Sequence, residues 1–110
     1  MFDVATLQVA AESIAARVTH LSLHTAGDVS SSADEAASVA RVPAVWTVTD
    51  GVLSSLPSFS GAPDLPVTRV GYWTALTGGT FCGGQFLPDG TALSPTGDLE
   101  FTVTETGYTA

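Results

Sequence analysis

The chain has 110 residues, a single-domain length, and 45% of them are hydrophobic against 13% charged, so one core can form without metal or disulfide staples. Eleven Asp and Glu stand against three Arg and no Lys, a net charge of -8 that argues against nucleic acid or an anionic membrane as partner. High apolar content and scattered acids also argue against disorder, and the single Cys82 excludes an internal disulfide or a Cys-based zinc site.

The first segment reads as a helix over residues 3–18. Asp3 is available as N-cap, and Leu7, Ala10, Ala11, Ile14, Ala15 and Val18 recur at spacings of three and four along one face. His20 to Thr25 then alternates with strand period, leucines inward and histidines outward. Ala26 to Ala40 reads as surface loop, with one or two helical turns from Ala33 to Ala40 begun by Ser32 and Glu35. Val42 to Thr49 is a strand with Val42, Ala44, Trp46 and Val48 on one face, and Asp50-Gly51 suits a tight hairpin. Val52 to Phe59 returns, with Pro57 forcing an edge or bulge in its second half. After a Gly/Pro connection, strands follow at Val67–Ala75, Phe81–Leu87, Thr91–Ser94 and Leu99–Thr104. They are separated by turns at Thr77-Gly78-Gly79-Thr80, Pro88-Asp89-Gly90 and Pro95-Thr96-Gly97-Asp98. The expected fold is mainly β, a β-sandwich or small barrel of six to seven short strands with one N-terminal helix. Residues 1–110 form one domain, residues 19–110 being its β-rich body.

Little in the chain points to chemistry. His20 and His24 on a strand share a face about 13 Å apart, which suits exposed side chains better than a metal site. Asp34-Glu35 reads as a solvated or capping pair, and the pairs Gly78-Gly79 and Gly83-Gly84 read as turn and bulge glycines rather than a phosphate loop. Cys82, between Phe81 and Gly83, reads as a small buried hydrophobe. No catalytic residue, cofactor or metal is expected. Trp46 alternates with valines and is a core candidate, whereas of the adjacent Tyr72 and Trp73 one should point outward, as an interface anchor or a sugar platform. The chain start lacks the pattern of a signal peptide and no long apolar run occurs, so synthesis and retention in the host cytoplasm until assembly is expected.

Four blocks carry a resemblance: Val18-Thr19-His20-Leu21-Ser22-Leu23-His24-Thr25-Ala26-Gly27; Ala40-Arg41-Val42-Pro43-Ala44-Val45-Trp46; Val67-Thr68-Arg69-Val70-Gly71-Tyr72-Trp73-Thr74-Ala75; and Thr77-Gly78-Gly79-Thr80-Phe81 with Gly83-Gly84. In this order they resemble small virion proteins of tailed phages that infect actinobacteria, described as capsid decoration, minor tail or fibre components. The likeness runs from Val18 to Val103, with Arg69 and Cys82 standing where His and Leu would be expected.

The resemblance implies a non-enzymatic virion structural protein. Its first expectation is a capsid decoration protein on the outside of the head, bound to the major capsid protein as a homo-oligomer, a trimer first. A minor tail or tail-fibre component, or a carbohydrate-binding module, is the alternative. An acidic exterior fits a surface away from DNA. The candidate interface residues are Leu7, Ile14, Arg17, Arg41, Arg69, Tyr72, Trp73, Gly78 and Gly79, with the three arginines as expected sites of salt-sensitive contact to a neighbour.

Overall fold

A computed structural model describes residues 2–105 as a body 43 × 24 × 22 Å. Helix α1 spans Val4–Arg17. The Asp3 carboxylate accepts the Thr6 N–H at 2.8 Å as the N-cap, and the helix ends where Val18 turns extended while its N–H still reaches the Ile14 carbonyl. The face read from the spacing is the inner one: Ala11 and Val18 are buried and Leu7, Ala10, Ile14 and Ala15 half-buried, while Val4 and Val9 are exposed to solvent.

The fold is mainly β. Among the described residues nine strands follow the helix: β1 His20–His24, β2 Val42–Pro43, β3 Thr47–Thr49, β4 Val52–Ser55, β5 Ser58–Ser60, β6 Arg69–Trp73, β7 Phe81–Phe86, β8 Asp98–Glu100 and β9 Val103–Glu105. They form a four-stranded antiparallel sheet in the order β2-β1-β6-β7, a three-stranded β3-β4-β9 and a two-stranded β5-β8, consistent with a sandwich-like arrangement.

Nine strands replace six or seven because three expected strands are broken, and the breaks have causes. Val42–Thr49 divides into β2, which pairs with β1, and β3, which turns back at Asp50-Gly51 to pair with β4. Both turn residues have positive φ, 50° and 80°, the backbone that a two-residue hairpin matching strand twist requires. Val52–Phe59 divides at Leu56-Pro57, and Leu99–Thr104 divides opposite it at Phe101-Thr102. The register nevertheless runs on across the gap, from Leu53↔Glu105 through Ser55↔Val103 to Ser58↔Glu100 and Ser60↔Asp98. The two smaller sheets are therefore one ribbon, interrupted where Pro57 has no N–H to give. Thr91–Ser94 makes only the single bridge Pro66↔Ala92.

The core lies between this ribbon and the large sheet. Leu21, Leu23, Val70 and Tyr72 on one sheet face meet Phe59, Leu93 and Val103, and the rings of Phe59 and Phe101 stack at 5.9 Å. Fully burying a side chain of this kind is worth about 2 kcal/mol.

The Ala26–Ala40 segment departs most from expectation. Ala33–Ala40 forms no helix and is not confined to the surface. Glu35 bridges to His24, the Ala36 N–H donates to the Leu23 carbonyl at 2.8 Å, and the Thr25 N–H donates to that of Asp34. Ala36 and Val39 are buried. A short helix with a costly nucleus loses here to the open edge of β1, whose backbone groups need partners beyond the point where β2 ends.

Candidate interaction surface

β1 is covered on both faces, and that placement overturns the expected outward histidine. Leu21 and Leu23 face the core, and Ser22 and His24, on the other face, are also fully buried. Between them lies a closed polar network. The Trp73 indole N–H donates to Ser22 Oγ at 2.8 Å, Ser22 Oγ lies 2.7 Å from His24 Nε2, and His24 Nδ1 lies 2.8 Å from the Ala33 carbonyl. Counting donors assigns the protons: Ser22 receives from Trp73, so it gives its own proton to Nε2, and Nδ1–H is the one that donates to Ala33. Burial pushes the His24 imidazole below its ordinary value. The Ala33 carbonyl works the other way, and the nearby Arg69 charge adds to the lowering. The Ser22–His24 pair has the spacing of a nucleophile and its base, but both side chains are fully buried, and Gly71 beside them leaves room that a side chain would not: a Cβ there would lie 2.5 Å from His24 Nε2 and 2.6 Å from Ser22 Oγ.

Arg69 is fully buried, so it is no contact for a neighbouring protein. Its Nε donates to the Ala26 carbonyl at 2.8 Å, one terminal nitrogen to Ala33 at 2.6 Å and the other to Ser31, and these bonds fasten the 26–33 segment over His24. Three carbonyl dipoles stand in for the water that the guanidinium has lost.

Arg41 is also turned inward. It grips Glu35 through Nε at 2.9 Å and Nη2 at 3.0 Å, donates to the carbonyls of Ala75 and Gly78, and lies 3.6 Å over the Trp73 ring. Glu35 is thus an ion-pair partner rather than a solvated carboxylate, which the sequence does not signal because the loop between the two has no regular period. Trp73 and Tyr72 are both buried, at 8% and 7% exposure, on opposite faces of β6. The expectation that one of them points outward fails because the segment from Ala33 to Arg41 covers the second face. The Tyr72 hydroxyl donates to a Glu105 carboxylate oxygen at 2.9 Å, and burial with that anion beside it raises the phenol. Trp46 is half-buried, packs edge-on to Tyr72 and donates to the Val18 carbonyl. The three aromatics therefore offer no open platform for a sugar ring.

The remaining candidates fall into two groups. Leu7 and Ile14 face the body: Leu7 packs on the Gly51 turn, whose N–H is taken by the Gln8 side chain at 2.9 Å, and Ile14 packs on the core. Arg17, in the last helical turn, is exposed and suits the helix dipole there. Gly78 and Gly79 are exposed, with φ of 62° and 73°. Arg41 and Gly78, with Leu76 at 53% exposure and Ala36, Ala40 and Thr77, line an open groove of about 580 Å³.

Cys82 is exposed, against expectation. It is the extra residue of a bulge, because Tyr72 pairs with Gly83 and Trp73 with Phe81. Sequence reading also missed the apolar side chains that do face solvent: Phe2, Val4, Val9, Val45, Leu56, Leu76 and Phe86, each more than half exposed. Val9 was identifiable as a residue off the inner helical stripe; Val4 falls on the stripe by spacing but lies in the first turn, beyond the body that covers the rest, and the others depend on which strand faces are covered. Comparison of the chain with known protein families, characterised proteins and solved structures finds no match.

Proposed function

We propose that this chain is a non-enzymatic structural protein of a bacteriophage virion, a decoration protein that binds the major capsid protein on the outer surface of the head as a homo-oligomer. One observation carries the reading. The four blocks that resemble phage virion proteins, scattered from Val18 to Gly84, supply β1, β2, β6 and the first part of β7, and these four are the strands of the large sheet. Within those blocks Ser22, His24, Gly71 and Trp73 form the polar network and the glycine beside it. What the blocks share is thus a scaffold whose polar groups are occupied by structural bonds, with apolar side chains left at the surface. Such a module gains its hold on a particle by repetition over many equivalent sites.

Quantitative mass spectrometry of virions of the encoding phage tests the reading. A decoration protein is present at on the order of hundreds of copies, in proportion to the major capsid protein. Presence at a few to tens of copies assigns it to the tail, and absence from the particle overturns the virion assignment.

A further inference from the structure

We infer that β7 is a self-association edge, along which a second copy of this chain adds antiparallel about a two-fold axis at Gln85. β7 is the last strand of its sheet, and among the described residues no strand pairs with its outer side. The Leu87 N–H donates to the Thr68 carbonyl, so the alternation of an antiparallel ladder makes Val70–Gln85 the next hydrogen-bonded pair. Gly84 and Phe86 therefore turn their own N–H and C=O groups away from β6.

Edge strands are ordinarily blunted by charge or proline. The Phe81–Phe86 strand carries neither, no residue between Arg69 and Asp89 is charged, and the one blunting device it has, the bulge at Cys82, leaves the Gly83–Phe86 end regular. On a chain of net charge -8, with Arg41 paired to Glu35 and Arg69 buried, two copies repel through most of their surfaces. An isologous contact requires a patch that tolerates itself, and this uncharged strand does. What selects a second copy as the occupant is self-complementarity: the exposed Phe86 and the side-chain-free Gly84 lie two residues apart, so a two-fold axis between them sets each against the other in both copies, while the absence of charge keeps like-charged chains from repelling at this contact.

The register follows. With the axis at Gln85, Gly84 of one copy faces Phe86 of the other, and the two residues exchange both backbone hydrogen bonds. The Phe86 ring, 58% exposed in the single chain, then lies over a glycine that has no side chain to resist it. The bulge at Cys82 limits the pairing to the Gly83–Phe86 end. This deepens the homo-oligomer part of the proposed function and rests on that part alone, giving a two-fold contact where the family resemblance led to a trimer.

Sedimentation of the full-length chain over a range of concentrations, with amide hydrogen exchange, tests the inference. Association is expected, with the Gly84 and Phe86 amides becoming protected as concentration rises. Phe86→Lys, at an exposed position, should weaken association at least about tenfold without changing the circular dichroism spectrum. In a Cys82→Ser background, Gln85→Cys should oxidise to a covalent dimer, because a non-hydrogen-bonded cross-strand pair sets its Cα atoms about 4.5 Å apart. The natural Cys82 should not cross-link, since this register holds the two copies of it about 20 Å apart. A chain that stays monomeric, or an oligomer that ignores Phe86→Lys and does not cross-link through Gln85→Cys, overturns the inference. Protection of Gly84 and Phe86 that arises only on the particle assigns the edge to another protein and overturns it too. Mass spectrometry of the virion is unaffected by any of these outcomes, so failure here is distinguishable from failure of the virion assignment.

Discussion

The Arg41 guanidinium lies 3.6 Å above the Trp73 ring while it bonds Glu35 on one side and the Ala75 and Gly78 carbonyls on the other. One cation thus joins the loop after β1, the aromatic on β6 and the turn into β7. A planar, forked donor does this where an ammonium does not. Arg41→Lys is expected to cost about 2 kcal/mol in urea denaturation, close to the cost of Arg41→Ala. Full retention of stability in the lysine variant would show that the stacked fork is not what holds the turn.

Trp73 carries the next expectation. It is buried and bonded to Ser22, so Trp73→Ala should destabilise the chain by about 3 to 5 kcal/mol. Trp73→Phe should cost less, because it keeps most of the packing and loses mainly the indole N–H. A loss of particle binding in Trp73→Ala therefore has to be read beside the melting temperature of the same variant before it counts as a lost contact.

Gly71→Ala inserts a methyl 2.5 Å from His24 Nε2 and 2.6 Å from Ser22 Oγ. Overpacking of this kind costs about 1 to 3 kcal/mol. In chemical denaturation, Ser22→Ala combined with Gly71→Ala should cost less than the sum of the two single changes, because the first makes room for the second. Strict additivity would count against the close approach.

His24 makes stability depend on pH in a definite direction. Burial holds its imidazole below the ordinary 6.5, while Arg69 and Arg41 oppose a second positive charge and Glu35 and the Ala33 carbonyl favour it. In the unfolded chain His24 takes up a proton near 6.5; in the folded chain it does so only at lower pH. The stabilising contribution is therefore intact above 6.5 and is lost as pH falls from there through the folded value. Denaturation midpoints measured from pH 8 downward should fall across that window, and His24→Gln should flatten this part of the profile. An equal slope in the variant would place the dependence elsewhere.

Arg69→Met removes the donors to Ala26, Ser31 and Ala33 while keeping much of the side-chain volume. Amides from Ala26 to Ala36 should then exchange faster than those of β6, with protease cleavage moving into the same segment. Unchanged exchange there would mean that the segment is held by its pairing to β1 alone.

The parts of this fold that are legible from the chain are those decided within a few residues. Asp3 caps α1 because its carboxylate reaches an N–H three positions on; Asp50-Gly51 makes the hairpin because those two residues tolerate positive φ; Gly83 sits in the bulge for the same backbone reason. The acidity and the absence of lysine are likewise facts of composition. Where the scarce cations went is not. Arg41 meets a carbonyl 37 positions away and Arg69 one 43 away, and Trp73 gives its N–H to Ser22, 51 positions earlier, while Arg41 lies over its ring. Alternation along a strand states which residues share a face; it does not state how many faces are covered. Only the folded chain decides that, through the loop laid over β1, and it turns two expected contact arginines into internal fasteners.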